Sequence, residues 1–476
     1  MSQGETEQGA PDQASTAQLA TSPRAPDAGS AGASAAPMAG PVRPSERVLL
    51  LDVLRGIALL GIFAVNMPLM SMPLMRGFGG PALAEDPVAD QVAWFAMHWL
   101  FQLKFISLFS LLFGIGFAVQ LERAVRRGAP VTGPYLRRLG VLLAIGLAHG
   151  LLVWFGDILT MYALLGAVLL FAGRLKARSL ALLAGGLLLW SALLTSGLAA
   201  LQTAANAQAA AVAESAASAE SDDPEGPGSE GAAGVAAPLR GFGAMHEANF
   251  DPSSPIWIEA ETRAYAEGPF GDAMRFRSIT FAIAFAVGAF GYGWYVLALF
   301  CLGAALWKAG VMTDPRSPWR RRFLWLLPIG LVAEFAIAWA KVRAGWEPSL
   351  PISLLEGAHL VSSAATMLGY VGLVMLWLDR APDSSAARLI AAPGRMALSC
   401  YLLESLVGTA IMYHWGLGWF GDVGRPAQFA LVGAIWVGLV LFANLWFRAF
   451  AFGPAEWLWR TLTYLRPPRR DPATEA

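Results

Sequence analysis

Long apolar blocks separated by short polar stretches run along this chain, and block length is what the pattern decides first. Ten blocks come close to the ~20 residues a helix needs to cross a hydrocarbon layer about 30 Å thick. They lie at about 48–70, 99–121, 139–155, 158–173, 179–201, 279–307, 323–340, 352–378, 396–415 and 427–450. The pattern predicts an all-α, polytopic membrane helix bundle of about ten transmembrane helices. Between the fifth and sixth blocks, residues 202–240 (with AAVAESAASAESDDPEGPGSEG) are small, acidic and of low complexity, the composition of a flexible linker. Residues 241–277 are mixed and aromatic, as in a partly folded loop. The expected organisation is a disordered tail (1–46), a five-span half (47–201), an extracytoplasmic linker and loop (202–277), a second five-span half with an interfacial segment (278–466), and a tail (467–476). No sequence repeat relates the halves.

Composition sharpens this picture. The chain has 476 residues, 56% hydrophobic and only 14% charged, where a soluble protein carries about 25% charged residues. Residues 1–44 are rich in Ala, Pro, Ser and Gly and cannot bury a core. They lack the basic start and apolar stretch of a signal peptide, so the first span is expected to direct insertion. Net charge is zero, so no global field draws the protein to nucleic acid. The expected partners are the lipid bilayer and a small-molecule substrate; the sequence defines no stoichiometry. Cys301 and Cys400 sit in apolar blocks and form neither a disulfide framework nor a metal site.

Charge is segregated by loop. Arg43 and Arg47, Arg123 to Arg127, Arg137 and Arg138, Arg174 to Arg178, Arg316 to Arg322, Arg380 to Arg395 and the C-terminal arginines all fall on one side. The other side keeps Arg76, Lys341, Arg343, Arg425 and a few arginines along the acidic loop. The positive-inside rule then puts both termini in the cytoplasm and the acidic loop outside.

Polar residues inside these blocks carry the candidate chemistry. In LDVLRGIALLGIFAVN (51–66), Asp52, Arg55 and Asn66 fall within about 60° on a helix wheel. Two readings fit: an inner-end ion pair with Arg55 snorkelling, or a stripe facing a cavity that binds an anionic or polar group. Lys104 opens the block KFISLFSLLFGIGFAVQL, either snorkelling or neutralising a substrate charge. In GLAHGLLVWFGDIL (146–159), Asp157 fits a helix N-cap, and His149 fits an interhelical hydrogen bond. A carboxylate across a tight turn is also how an imidazole is oriented as a base. In PGRMALSCYLLESLVG, Arg395 stands at the start of a span and Glu404 well inside it, where a lone carboxyl needs a partner or a proton. The closing GPAEWLWRTLTYLRPPRR reads as an amphipathic segment lying in the interface. His98, His246 and His359 are not grouped at metal-ligand spacing, and no HExxH, Walker or GxSxG pattern occurs.

Taken together, LDVLRGIALLGIFAVN, KFISLFSLLFGIGFAVQL, RRLGVLLAIGLAHGLLVWFGDILTMYALLG, GRMALSCYLLESL and GPAEWLWRTLTY resemble the YeiB-type bacterial membrane proteins over about residues 47–466. These carry a C-terminal domain of unknown function. The resemblance implies a distant similarity to membrane-bound acyltransferases of the acyltransferase-3 and heparan-glucosaminide acetyltransferase type, which move acyl groups from cytoplasmic donors to sugars. Arg55-Gly56 matches the start of the acyltransferase-3 first span, but Asn66 stands where that family has its catalytic His. The heparan enzymes have an Asn there and a His soon after; here none follows until His98.

Two function classes follow. An acyltransferase would take an anionic donor such as acyl-coenzyme A into a vestibule of Arg55, Arg137, Arg138 and Arg395. His149 would then serve as base, with Asp157 orienting it, on behalf of an envelope sugar or lipid acceptor. A secondary transporter of a small polar or anionic solute would instead use Asp52, Asn66, Lys104, His149, Asp157 and Glu404 as a path between the halves.

Overall fold

In the computed structural model, residues 48–79, 86–128, 130, 132–221, 251–345 and 349–468 are described. The tail of residues 1–46 and the second part of the linker, residues 222–240, therefore lie outside the described residues. Among those described, every regular element is helical. The first half contains α1 (Leu49–Ser71), the short α2 (Leu74–Phe78), α3 (Val88–Leu100), α4 (Lys104–Arg126), α5 (Thr132–Leu152), α6 (Leu159–Ala172) and α7 (Ala177–Ser221). After the linker come α8 (Pro255–Ala266) and α9 (Phe270–Val287), then a π-helical turn at Gly288–Tyr292 leading into α10 (Gly293–Lys308). The chain continues through α11 (Pro318–Arg343), α12 (Leu350–Arg380), α13 (Ser385–Arg395), α14 (Ala397–Met412), α15 (Arg425–Trp446) and α16 (Pro454–Tyr464).

All ten apolar blocks are helical, but not all are long enough to span. Eight described segments have the length and composition to cross a membrane, and a ninth qualifies if α13 and α14, bent by 78°, count as one broken span. The fourth block is the 14-residue α6, short of the ~20 residues a bilayer asks for. The segment 202–221, expected to belong to a flexible linker, instead prolongs α7 to 45 residues. Its alanines explain the difference, since Ala has the highest helix propensity. At 1.5 Å per residue, α7 is about 67 Å long and must project beyond the bilayer.

The position of each helix follows from where small residues let backbones meet. In α1 two-thirds of the apolar window is buried, against 17% in α7 and in α15. Accordingly α1 is the central helix, with α4, α13, α14 and α15 packed on it. A Cβ at Gly56 would stand 2.0 Å from the Ile390 carbonyl oxygen, and one at Gly394 1.8 Å from that of Asp52. The α1–α13 crossing is therefore backbone against backbone. The outer helices turn Phe171, Leu182, Trp325 and Val332 outward, which suits a surface solvated by lipid rather than water.

Candidate functional site

One cavity of about 310 Å³ opens between α1, α4, α5, α6, α14 and α16. Its inner wall is apolar, with Ile62, Phe109, Phe113, Leu142, Ile158 and Leu159, together with the rings of Tyr162 and Tyr401. Arg55, Arg123, Arg138, Arg395 and Arg460 also line it, against two carboxylates, Asp52 and Glu456. The lining therefore carries a surplus of positive charge. Asp52 is occupied by Arg55, Oδ1 to Nη1 at 2.8 Å. Arg138 lies 4.0 Å over the Trp459 ring and Arg395 4.1 Å over Phe447. These aromatic faces hold the guanidinium planes in place.

Glu456 has a structural task. It accepts hydrogen bonds from Leu398 N (2.7 Å), Ser399 N (3.2 Å) and Ser399 Oγ (2.5 Å), so it caps the start of α14, where the broken span resumes. The positive end of a helix favours a carboxylate there, while burial pushes the Glu456 carboxyl up from its ordinary range. Two motifs separated by about fifty residues, GRMALS and GPAEW, meet through this one side chain. Trp459 Nε1 donates to Arg138 O and Arg137 Nη1 to Thr463 O, which ties α16 to α5 along the cavity. The closing segment is helical and amphipathic, with Trp457, Leu458 and Leu462 exposed.

The turn between α5 and α6 forms a second feature. His149 Nδ1 lies 2.9 Å from Asp157 Oδ1, both side chains buried. Oδ2 of the same carboxylate accepts from Thr160 N (2.8 Å) and Thr160 Oγ1 (2.7 Å). Asp157 thus caps α6 and meets the imidazole at once. Gly146 makes room, since a Cβ there would stand 2.8 Å from Asp157 Oδ2. His149 Nε2 is buried with no hydrogen-bond partner. The pair lies just behind the cavity wall: the His149 ring packs 5.1 Å from that of Tyr401, and Tyr401 lines the cavity. One turn on from Tyr401, Glu404 is 1% exposed, and neither of its oxygens is hydrogen bonded.

Of the residues singled out in the sequence, Asp52, Arg55 and Arg395 share the cavity, and His149 and Asp157 back it. Asn66 is half-buried and does not line the cavity. Lys104 is elsewhere, fully buried against Glu334 at 2.5 Å. Tyr401, Glu456, Arg123 and Arg460 at the cavity, and Glu334 in the middle of α11, are not among the residues singled out in the sequence. An intramembrane carboxylate was the available signal for Glu334, but tyrosines in apolar helices carry none.

A family described as protein of unknown function (DUF418) matches residues 306–466, from the end of α10 through α16. The uncharacterized protein YxaH of Bacillus subtilis (strain 168) is 31% identical over 433 residues, covering 89% of this chain and 96% of that protein. The uncharacterized protein YeiB of Escherichia coli (strain K12) is 28% identical over 427 residues, covering 88% and 96%. The chain belongs to the YeiB-type family. An uncharacterized 39.9 kDa protein of Bacillus acidopullulyticus is 35% identical over a shorter stretch of 136 residues, 29% of this chain and 37% of that protein. No solved structure matches. Within the family match lie Arg395, Tyr401, Glu404 and Glu456; His149 and Asp157 precede it.

Proposed function

We propose that this YeiB-type membrane protein transfers an acyl group from an anionic donor, of the acyl-coenzyme A class, to an envelope sugar or lipid acceptor. The observation that carries the reading is the form of the cavity. Its arginines suit phosphate groups and its apolar inner wall suits an acyl chain. The volume of about 310 Å³ sits at the small end of ligand pockets, roughly 300–1,000 Å³. It fits the reacting end of a donor rather than a whole nucleotide. His149 serves as general base. With Nδ1–H donating to Asp157, the remaining lone pair is on Nε2, the atom that has no other partner. Nε2 takes the proton from the acceptor hydroxyl or amine as that atom attacks the acyl carbonyl; the thioester C–S bond of the donor then breaks, and the departing thiolate receives the proton from the imidazolium. Tyr401, in contact with both the imidazole and the cavity, is the ring that must shift for substrate to reach the base.

In this reading the protein lies in the inner membrane with both termini in the cytoplasm, so the arginine-lined end meets a cytoplasmic donor. Transport of a small anion receives less support, because Asn66 and Lys104 lie off the cavity that Asp52 and Arg55 line. The test compares Arg55→Ala with Arg126→Ala in complementation of a deletion strain, with membrane abundance measured. Arg126 is two-thirds exposed and paired with Glu122, so its loss is expected to be neutral. Arg55→Ala is expected to lower activity at least tenfold at equal abundance. Equal effects of the two would return Arg55 to a headgroup anchor and remove the donor site.

A further inference from the structure

A second ionisable cluster lies at the opposite end of α4 from Arg123, about 29 Å away along the helix. Lys104 Nζ sits 2.5 Å from Glu334 Oε2 and donates to His98 O at 2.9 Å. Glu334 is completely buried in the middle of α11 and is richly supplied with donors. Its Oε1 accepts from Ser362 Oγ and, at 3.0 Å, from Ser363 Oγ. Its Oε2 is shared by Lys104 and His359 Nδ1, the latter at 2.9 Å. The His359 ring stacks on that of His98, with centroids 4.8 Å apart and planes 11° from parallel. His98 in turn stacks on Trp94 at 4.6 Å.

A purely structural cluster would close all its hydrogen bonds, since an unsatisfied buried polar atom costs about 1–3 kcal/mol. This one does not close. His359 Nε2 is buried with no hydrogen-bond partner, so a basic lone pair stands unused beside a carboxylate-held ring. The groups acting on His359 are Glu334, Lys104 and Lys341, with His98 against its face. Gln102 lies beside His98, Tyr370 and Tyr295 stand near Glu334, and α7 presents the hydroxyls of Ser196 and Thr203 toward α12. Towards the surface the cluster continues through Lys341, which pairs with Glu356 at 2.7 Å; Glu356 is one-third exposed. Lys341 acts electrostatically on His98, Lys104 and His359, so titratable groups recur from the end of α11 into the bundle.

We propose that this cluster is a proton-binding site, in which the stacked His98–His359 pair takes up one proton that enters by way of Glu356 and Lys341. One proton is the capacity because two imidazolium rings stacked this closely in a low dielectric repel strongly. His359 carries the charge, since its Nδ1 faces the Glu334 carboxylate. No bond other than the new N–H forms, and the proton comes from solvent. The protonated ring competes with Lys104 for Glu334 Oε2. Lys104 starts α4, directly after Leu103, whose φ of 63° is rare for a non-glycine residue. Binding is thereby felt at the helix that also walls the arginine-lined cavity. The site is separate from that cavity and stands whether or not acyl transfer occurs there.

The full chain in lipid nanodiscs is stepped from pH 8 to pH 5, and proton uptake is read with an indicator dye. A His98→Gln/His359→Gln double variant is expected to take up one proton fewer than wild type. No difference overturns the proposal, because the pair then never titrates; a difference of two overturns it as well, because the rings are then independent. Glu356→Gln is expected to keep the count and slow the uptake; an unchanged rate removes the entry path. Should the double variant fail to fold, ¹⁵N-histidine spectra of wild type read ring protonation directly. One imidazolium signal shared by His98 and His359 at pH 5 supports the site, and two neutral rings refute it.

Discussion

Asp157→Asn separates the two tasks of one carboxylate. In the native site Oδ1 lies 2.9 Å from His149 Nδ1, while Oδ2 takes the Thr160 N–H at 2.8 Å and the Thr160 hydroxyl at 2.7 Å. Asparagine has one oxygen and one NH₂. Turning the oxygen to Thr160 keeps the cap, for Asn caps as well as Asp, and aims the NH₂ at His149 Nδ1. Two donors would then face each other unless the imidazole moves its proton to Nε2. That tautomer can no longer accept a proton at Nε2. The stability lost is one hydrogen bond to a charged group, about 1.5–3 kcal/mol, partly returned by the new amide contact, for about 1 kcal/mol net. Asp157→Ala also forfeits the cap, about 1 kcal/mol. It further strands a buried Nδ1–H, about 1–3 kcal/mol, so its cost is about 2–4 kcal/mol.

The expected activities differ more than the stabilities. Loss of a positioned general base lowers a rate by about 10²–10⁴, so Asp157→Asn should reach near-normal abundance in the membrane and fail to complement a deletion strain. His149→Gln should be as damaging as the double variant, because groups that act as a unit are not additive. A fully active Asp157→Asn protein beside an inactive Asp157→Ala protein would leave Asp157 only its cap and withdraw the base from His149.

Three further outcomes are expected. Gly394→Ala forces a methyl group against the Asp52 carbonyl oxygen, 1.8 Å from where its Cβ would stand. It should cost about 1–3 kcal/mol or more and lower the melting temperature of the purified protein; an unchanged transition would contradict the close α1–α13 crossing. Outside the spans, burial pushes the Glu261 carboxyl up from about 4.5 to about 7. The folded chain therefore holds a proton there that the unfolded one loses. This contribution is complete below about pH 4.5 and is lost as pH rises to about 7. Hydrogen exchange of residues 255–266, corrected for intrinsic rates, should lose up to about a hundredfold of protection over that interval. Glu261→Gln should flatten the profile, and a flat wild-type profile would refute the assignment. Finally, a reporter joined after residue 230 should be active only on the extracytoplasmic side, and cytoplasmic activity would reverse the proposed orientation.

Sequence by itself determined the class of this protein. Apolar block length is a local property, and a bilayer about 30 Å thick turns it directly into helices. The blocks at 48–70 and 352–378 therefore appear as α1 and α12 with little change. Family membership was legible for a similar reason, because GLAHGLLVWFGDIL and GRMALSCYLLESL are contiguous strings. Even the His149–Asp157 contact was within reach, since eight residues and one turn separate the two. What only the tertiary structure decided is which distant polar groups meet. Nothing local in α4, α11 or α12 says that Lys104 and His359 share the Glu334 carboxylate, because helices hydrophobic on every side carry no periodic signal for the face they bury. Nor does an arginine near a span end reveal whether it snorkels to lipid or lines a cavity. Arg55 and Arg395 come together because Gly56 and Gly394 let two backbones touch, and Glu456 reaches α14 from a helix more than fifty residues further along.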